Sequence, residues 1–261
     1  MPMRKVSLVR LPHYFYHQGQ CQAAFRPLRD YGGLRLGHLE RNHYFCRKYP
    51  SQSMKKYLVM ALMMAIGCTA IAQQPVKLPA PNPLKASKMS LMEALQKRKS
   101  VREYSSKEIS LQTLSTLLWT ACGYNRPDEK RITAPSAINA QDITLYVCMK
   151  NGAYCYNPDE NQLDFVSAED LRPAVAGRQD FAKQAPVCIV LVSDLNKFRS
   201  PRAEFGAMDA GFVSENICLA CTALGLATVP RASMEKETLT KAFGLNENQV
   251  LMLNNPVGWP K

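Results

Sequence analysis

Arg98-Lys99-Ser100-Val101-Arg102 places three cations and a hydroxyl within five residues, at the point where a helical pattern breaks. The helix reads back through Leu91-Met92-Glu93-Ala94-Leu95-Gln96-Lys97. Ser90 is its N-cap, and Glu93 three residues on completes a capping box. Leu91, Met92 and Leu95 give its apolar stripe. Lys97 to Lys99 suit the negative end of the helix dipole. Two readings of the basic stretch follow. It is either the solvated end of a helix, or an anion site in which Arg forks and a Ser hydroxyl match the oxygens of a phosphate monoester.

Upstream, residues 1–53 carry Lys5, Lys48 and seven arginines against only Asp30 and Glu40. No window there holds a 3.6 or 2 period. The segment reads as an unstructured extension or a misassigned start; a basic nucleic-acid-binding arm is the alternative, without the repeated spacing or aromatic platform it would need. From Met54 the chain runs Met54-Lys55-Lys56, then an apolar stretch from Tyr57 to Gly67, then Ala70-Ile71-Ala72 before Gln73. A positive region, an apolar region and an Ala-x-Ala site make 54–72 a signal peptide, too short for a comfortable span. The expectation is export, to the periplasm, with no stable membrane span in the mature form. Lipid attachment at Cys68 and a retained anchor are the alternatives. The chain's net charge of +12 is then mostly a property of this end: it loses seven before Met54 and two at Lys55 and Lys56, leaving +3 for 73–261. A nucleic-acid partner loses its main support.

About 190 residues remain, enough for one cored domain. Residues 73–88, with Pro75, Pro79, Pro81 and Pro83, read as an extended linker, and 89–261 as the folded domain. Helices are expected at 90–99 and at 110–122, the second with Leu111, Leu114, Leu117, Leu118 and Ala121 on one face and Gly123 as its stop. A polar loop over 124–133 follows, then a strand at 143–149, a turn at Asn151-Gly152 and a return strand through Tyr154 and Tyr156. The spacing predicts a short piece at 163–166, broken helix over 168–184 and a strand buried on both faces at 187–192. A long helix over 202–224, another over 235–243 and a last strand at 250–253 complete an α+β order with a mixed sheet.

The chemistry is bounded by what is missing. All four histidines (His13, His17, His38, His43) precede Met54, so no His triad or His-ligated zinc is available downstream, and no metal site is expected. Cys218-x-x-Cys221 lies inside a helical pattern, where packed thiols are the expected role. A disulfide between Cys148 and Cys155 across the hairpin is left open. The lack of an acid–base pair fits an enzyme whose reactivity belongs to a cofactor.

Four motifs in order carry a family likeness. Arg98-Lys99-Ser100-Val101-Arg102 resembles the opening Arg-Arg-Ser-x-Arg of the nitroreductase-like flavoproteins. Pro135-Ser136-Ala137-Ile138-Asn139-Ala140-Gln141 resembles their Pro-Ser-x-x-Asn-x-Gln segment. Asp209-Ala210-Gly211, through Asn216 to Gly225-Leu226, is similar to their central helix ending in Gly-Leu. Val257-Gly258-Trp259-Pro260 is close to their Val-Gly-Tyr-Pro ending. The short form is similar to the branch that includes azoline-oxidising enzymes.

The resemblance implies a mixed central sheet flanked by helices, an obligate homodimer, and FMN at the subunit interface. Arg98, Ser100 and Arg102 would hold the phosphate and ribityl chain, with Lys99 near the pyrimidine end. Pro135, Ser136 and Asn139 would line ring and ribityl, and Gln141 would steady that loop. Within Val229-Pro230-Arg231-Ala232-Ser233 a backbone N–H, at Ala232 in the nearest match, would meet flavin N5, and Lys261 would add a cation to the phosphate. No side chain is assigned as catalyst, because hydride chemistry would sit on FMN.

On the residues alone, Ser136 and Asn139 could cap a short helix, Arg231 could be a surface cation and Gly258 could shape a turn. Asp209 and Asn216 read as packing or dimer groups, and Tyr124 and Arg126 as candidates to touch substrate. The implied activity is ping-pong electron transfer from a hydride donor such as NAD(P)H to a nitro, quinone or related small acceptor. An FMN-dependent dehydrogenase or oxidase of a peptide or heterocycle, and a non-catalytic flavin-binding module, are the alternatives.

Overall fold

A computed structural model describes residues 74–261. The expected signal peptide at 54–72 and the expected 1–53 extension lie outside the described residues. Strands are β1 Val76–Lys77, β2 Tyr124–Arg126, β3 Arg131–Ile132, β4 Ile143–Met149, β5 Gly152–Asn157, β6 Gln162–Ser167, β7 Val187–Asp194, β8 Ala227–Thr228 and β9 Gln249–Gly258. Helices are α1 Pro83–Ala86, α2 Leu91–Lys97, α3 Leu111–Cys122, α4 Arg172–Ala176, α5 Ala203–Leu224 and α6 Lys236–Phe243. Seven strands form one sheet in the order β1-β6-β5-β4-β7-β9-β8.

The α+β class is as expected, but every described pairing in that sheet is antiparallel rather than mixed. Topology supplies the reason. β7 and β8 run the same way, joined by the crossover helix α5, yet β9 inserts between them and pairs antiparallel with both.

Alternation along β4 and β7 builds two cores. Leu145, Val147, Ile189 and Leu191 face α3 and α5, against Leu114, Leu117, Leu118, Val213 and Ile217. Tyr146, Cys148, Cys188 and Val190 face the other layer, against Val175, Leu239 and Phe243. The unbroken apolar run of β7 is therefore a strand covered on both sides. Tyr146 stacks on Phe243 with ring centroids 4.2 Å apart.

Several local expectations need correction. Residues 73–88 do not form a free linker where described: Val76 and Lys77 pair with Leu163 and Gln162 at the sheet edge, and 83–86 make a helical turn. The polar loop over 124–133 is a small hairpin of β2 and β3. Gly123 ends α3 with φ −78°, so it is not there for a left-handed turn; a Cβ would sit 2.7 Å from the Trp119 Cα. The last strand runs to Gly258, through Pro256. That proline is tolerated because β8 pairs only with Val257 and Gly258, so no β8 bond is lost at 256. The hairpin registers Cys148 with Ala153 and Cys155 with Tyr146, and both thiols are free.

The capping box forms as read, with Glu93 N–H donating to Ser90 Oγ at 3.2 Å and Ser90 N–H to Glu93 Oε2 at 2.8 Å. Its apolar stripe does not go inward. Of α2 only Ala94 is buried, while Leu91, Met92 and Leu95 are exposed, as are Leu84, Met208 and Phe212. No helix among the described residues is long and apolar enough to cross a membrane.

Candidate flavin site

The basic segment is tied down by backbone bonds on both sides. Val101 N–H donates to Thr228 O of β8 at 3.0 Å, and Ser105 N–H to Trp259 O at 2.8 Å. Buried Tyr104 bridges to Pro260, and its hydroxyl donates to Val101 O at 3.1 Å. These contacts bring the chain's last residues beside 98–102. α5 ends next to them at Gly225, whose φ of +72° is a left-handed cap that suits glycine, with Leu226 N–H returning to Cys221 O at 2.7 Å.

A cavity of about 590 Å³ opens between these parts. Lys97, Lys99, Ser100, Arg102 and Lys261 line it with only Glu103 opposing them, over a floor of Val101, Leu226 and Ala227. Arg98 does not line it and is half-buried. Ser100, Arg102 and Lys261, three of the expected phosphate-side residues, thus meet in one electropositive cleft, and Lys99 stands with them rather than apart at a pyrimidine end. Its size lies within the roughly 300–1,000 Å³ of small-molecule pockets, and ribityl and phosphate oxygens match its donors.

The second motif stands elsewhere on α5. Asp209 accepts Ala137 N–H on both oxygens, at 3.1 and 2.9 Å. Ser136 Oγ accepts Gln141 N–H at 2.9 Å, and Gln141 Nε2 donates to Lys130 O at 3.0 Å. Ser136 caps no helix by its side chain, and Asn139 and Pro135 are exposed. Asp209 and Thr222 are thirteen positions apart on α5, which is about 20 Å at the helical rise. Within one chain the 135–141 segment and the basic cleft are therefore separate.

The third element departs from expectation. Pro230 and Ala232 are exposed, but the Arg231 side chain is buried. Its guanidinium donates to Gln179 Oε1, Val175 O, Asn254 Oδ1 and Ala176 O, all within 3.2 Å. It is an internal staple, neither a surface cation nor a free phosphate ligand. Phe181 links it to the cleft: the Arg231 and Arg102 guanidinium carbons lie 5.6 and 6.0 Å from its ring centre. Asn254 was invisible to sequence reasoning, yet its Nδ2 donates to Arg231 O and Ser233 O and shapes the 230–233 turn.

A family model described as "Nitroreductase family" matches residues 95–259. The chain belongs to the nitroreductase family of oxidoreductases. It is 28% identical over 184 residues to a provisionally named nitroreductase of Methanocaldococcus jannaschii, covering 65% of this chain and 91% of that one. It is 25% identical over 181 residues to a protein of Methanothermobacter thermautotrophicus whose provisional name is NADH dehydrogenase/NAD(P)H nitroreductase, covering 67% and 80%. A crystal structure of a provisionally named nitroreductase from Ralstonia eutropha superposes with TM-score 0.67 at 34% identity, over 73% of this chain and 91% of that one.

Proposed function

We propose that the protein is an FMN-dependent oxidoreductase working as a homodimer, with flavin held where two copies meet. The observation that carries this is the cleft in which Lys99, Ser100, Arg102 and Lys261 converge. Their donors suit a phosphate and a polyol chain, and the apolar floor suits the remainder of the ligand. When bound, FMN would supply hydride chemistry at N5, taking electrons from a donor such as NAD(P)H and passing them in a second encounter to a nitro, quinone or related acceptor. The chain's residues would bind and orient. Ala232, exposed on the 230–233 turn, would offer its N–H toward N5, while Pro135, Ser136 and Asn139 would line the flavin from the second copy.

A homodimer is supported by two features. The half-sites within one chain are about 20 Å apart, and the exposed apolar faces of α2 and α5 lack cover. Met208 and Phe212 lie four apart on α5, 60% and 48% exposed. A Phe212→Asp substitution places a charge in that face and is expected to give a monomer by sedimentation velocity. A dimeric variant with native affinity would locate the interface elsewhere.

Export, if 54–72 acts as a signal, separates the enzyme from cytoplasmic NAD(P)H and requires flavin loading afterwards. The deciding experiment is the visible spectrum of protein incubated with FMN, before and after anaerobic NADPH. The expected result is a retained flavin band near ~450 nm that bleaches, as cofactor-borne redox chemistry requires. A retained band that ignores nicotinamide but bleaches with an organic substrate would replace the reductase with a dehydrogenase or oxidase. Absence of bound flavin would overturn the assignment.

A further inference from the structure

Two carboxyls are buried together away from the basic cleft. Asp142, just before β4, is 0% exposed, and Asp209 on α5 is 1% exposed. α5 packs against Ser193 at Gly206, one turn before Asp209, so both carboxyls belong to one buried cluster around that serine, and the Asp209 carboxyl is among the groups that raise Asp142. Ser193 Oγ, on β7, donates to Asp142 Oδ2, while Asp142 Oδ1 is buried with no donor among the described residues. The charged groups around the pair do not neutralise it. Lys197 Nζ, from the turn after β7, donates to Gln141 O at 2.7 Å, and Asp194 faces the Asn196 N–H at 3.1 Å. No ion pair among the described residues includes either acid. Two anions cannot share such a place without a proton between them.

Asp209 meanwhile holds the neighbouring loop. Both of its oxygens receive Ala137 N–H. Beyond Ala137 the backbone is left-handed at Ile138, Asn139 and Gln141, with φ of 50°, 59° and 48°. Such a run is unfavourable for residues with a Cβ, most of all for β-branched Ile138, so its anchors must hold it in place.

We propose that Asp142 and Asp209 share one proton, and that this pair positions the 136–141 segment for the flavin. The inference rests on the flavin reading of that segment. In the shared state the Asp142 O–H donates to an Asp209 oxygen, and the Asp209 carboxyl still accepts the Ala137 N–H. Loss of the proton removes that hydrogen bond, leaves the buried Asp142 charged and frees the anchor. Burial first, and the Asp209 carboxyl with it, pushes Asp142 up to about 6, and the Ser193 hydroxyl pulls it down. Because the folded value exceeds the ordinary carboxylate value, the folded state holds more protons in between. The stabilisation is complete below the ordinary carboxylate value of about 3.9 and is lost as pH rises through about 6.

The test measures FMN dissociation constants and Tm from pH 5 to 8 on the full chain and three variants. Asp142→Asn supplies an N–H at every pH in place of the shared proton. The native protein is expected to weaken on the order of tenfold more than Asp142→Asn across this range, the equivalent of about one pKa unit. Titration of the FMN phosphate near ~6 is common to both and cancels. Asp209→Ala should bind weakly at every pH, and Ser193→Ala should move the native midpoint upward. An Asp142→Asn profile parallel to the native one, native affinity in Asp209→Ala, or an unmoved midpoint in Ser193→Ala would each overturn the proposal. If native protein binds no FMN at any pH, the flavin reading fails, and the Tm profiles then judge the shared proton separately. A native Tm falling from pH 5 to 7.5 beside a flat Asp142→Asn profile sustains it, and parallel profiles reject it.

Discussion

Replacing Lys99 and Arg102 together with alanine is expected to weaken FMN binding by about a hundredfold while leaving riboflavin affinity nearly unchanged. Both side chains line the cleft, and both are exposed. Hydrogen bonds to a charged group contribute about 1.5–3 kcal/mol each, and solvent screening favours the low end, so the pair is worth roughly 3 kcal/mol. Riboflavin lacks the phosphate and reports only on the remainder of the site. Arg102→Lys keeps the charge but loses the fork and the contact with Phe181, so it should recover part of the loss. Raising salt should weaken the native protein more than the double variant. Fluorescence titrations with the two ligands decide the matter. Equal losses for FMN and riboflavin would mean that the segment shapes the fold rather than holds a phosphate.

Much of the fold was legible because local chemistry determined it. The capping box of Ser90 and Glu93, the β-branched run of β7 and the Gly225 stop of α5 are each readable within a few neighbours. What escaped depended on distant partners. Arg231 looks like a surface cation in its own sequence, yet its four acceptors come from residues 23 to 56 positions away. Asp142 gave no signal at all, because Ser193 and Asp209 reach it only once β4, β7 and α5 are packed. Leu91, Met92 and Leu95 have the spacing of a core face, and periodicity cannot say whether the same chain or a second copy covers it. The four family motifs were found by type and order. That two of them sit at opposite ends of α5 could not be known from a linear pattern.

Arg231→Met should lower stability by about 3–5 kcal/mol, the loss of a Tm of roughly 10 °C for a domain of this size. The guanidinium has no carboxylate partner among the described residues; burial disfavours its charge and pushes its proton affinity down. What compensates is a complete set of acceptors: two carbonyls of α4 and the side-chain oxygens of Gln179 and Asn254. Methionine fills similar volume but leaves these oxygens without a donor, and an unmade buried bond costs more than a made one contributes, about 1–3 kcal/mol each before relaxation. Lysine cannot reach all four from one ammonium group, so Arg231→Lys should recover less than half. The turn itself is held separately by the backbone exchange between Arg231 and Asn254, at 2.8 and 2.7 Å, which either substitution leaves in place. Below the lowered Tm, flavin affinity should therefore stay within about threefold of native, far from the hundredfold loss at Lys99 and Arg102. Thermal melts with and without FMN separate the two roles. An unchanged Tm with lost flavin would put the guanidinium in the cofactor site. A lowered Tm with retained flavin makes it the staple that keeps α4, Phe181 and the 230–233 turn in one piece.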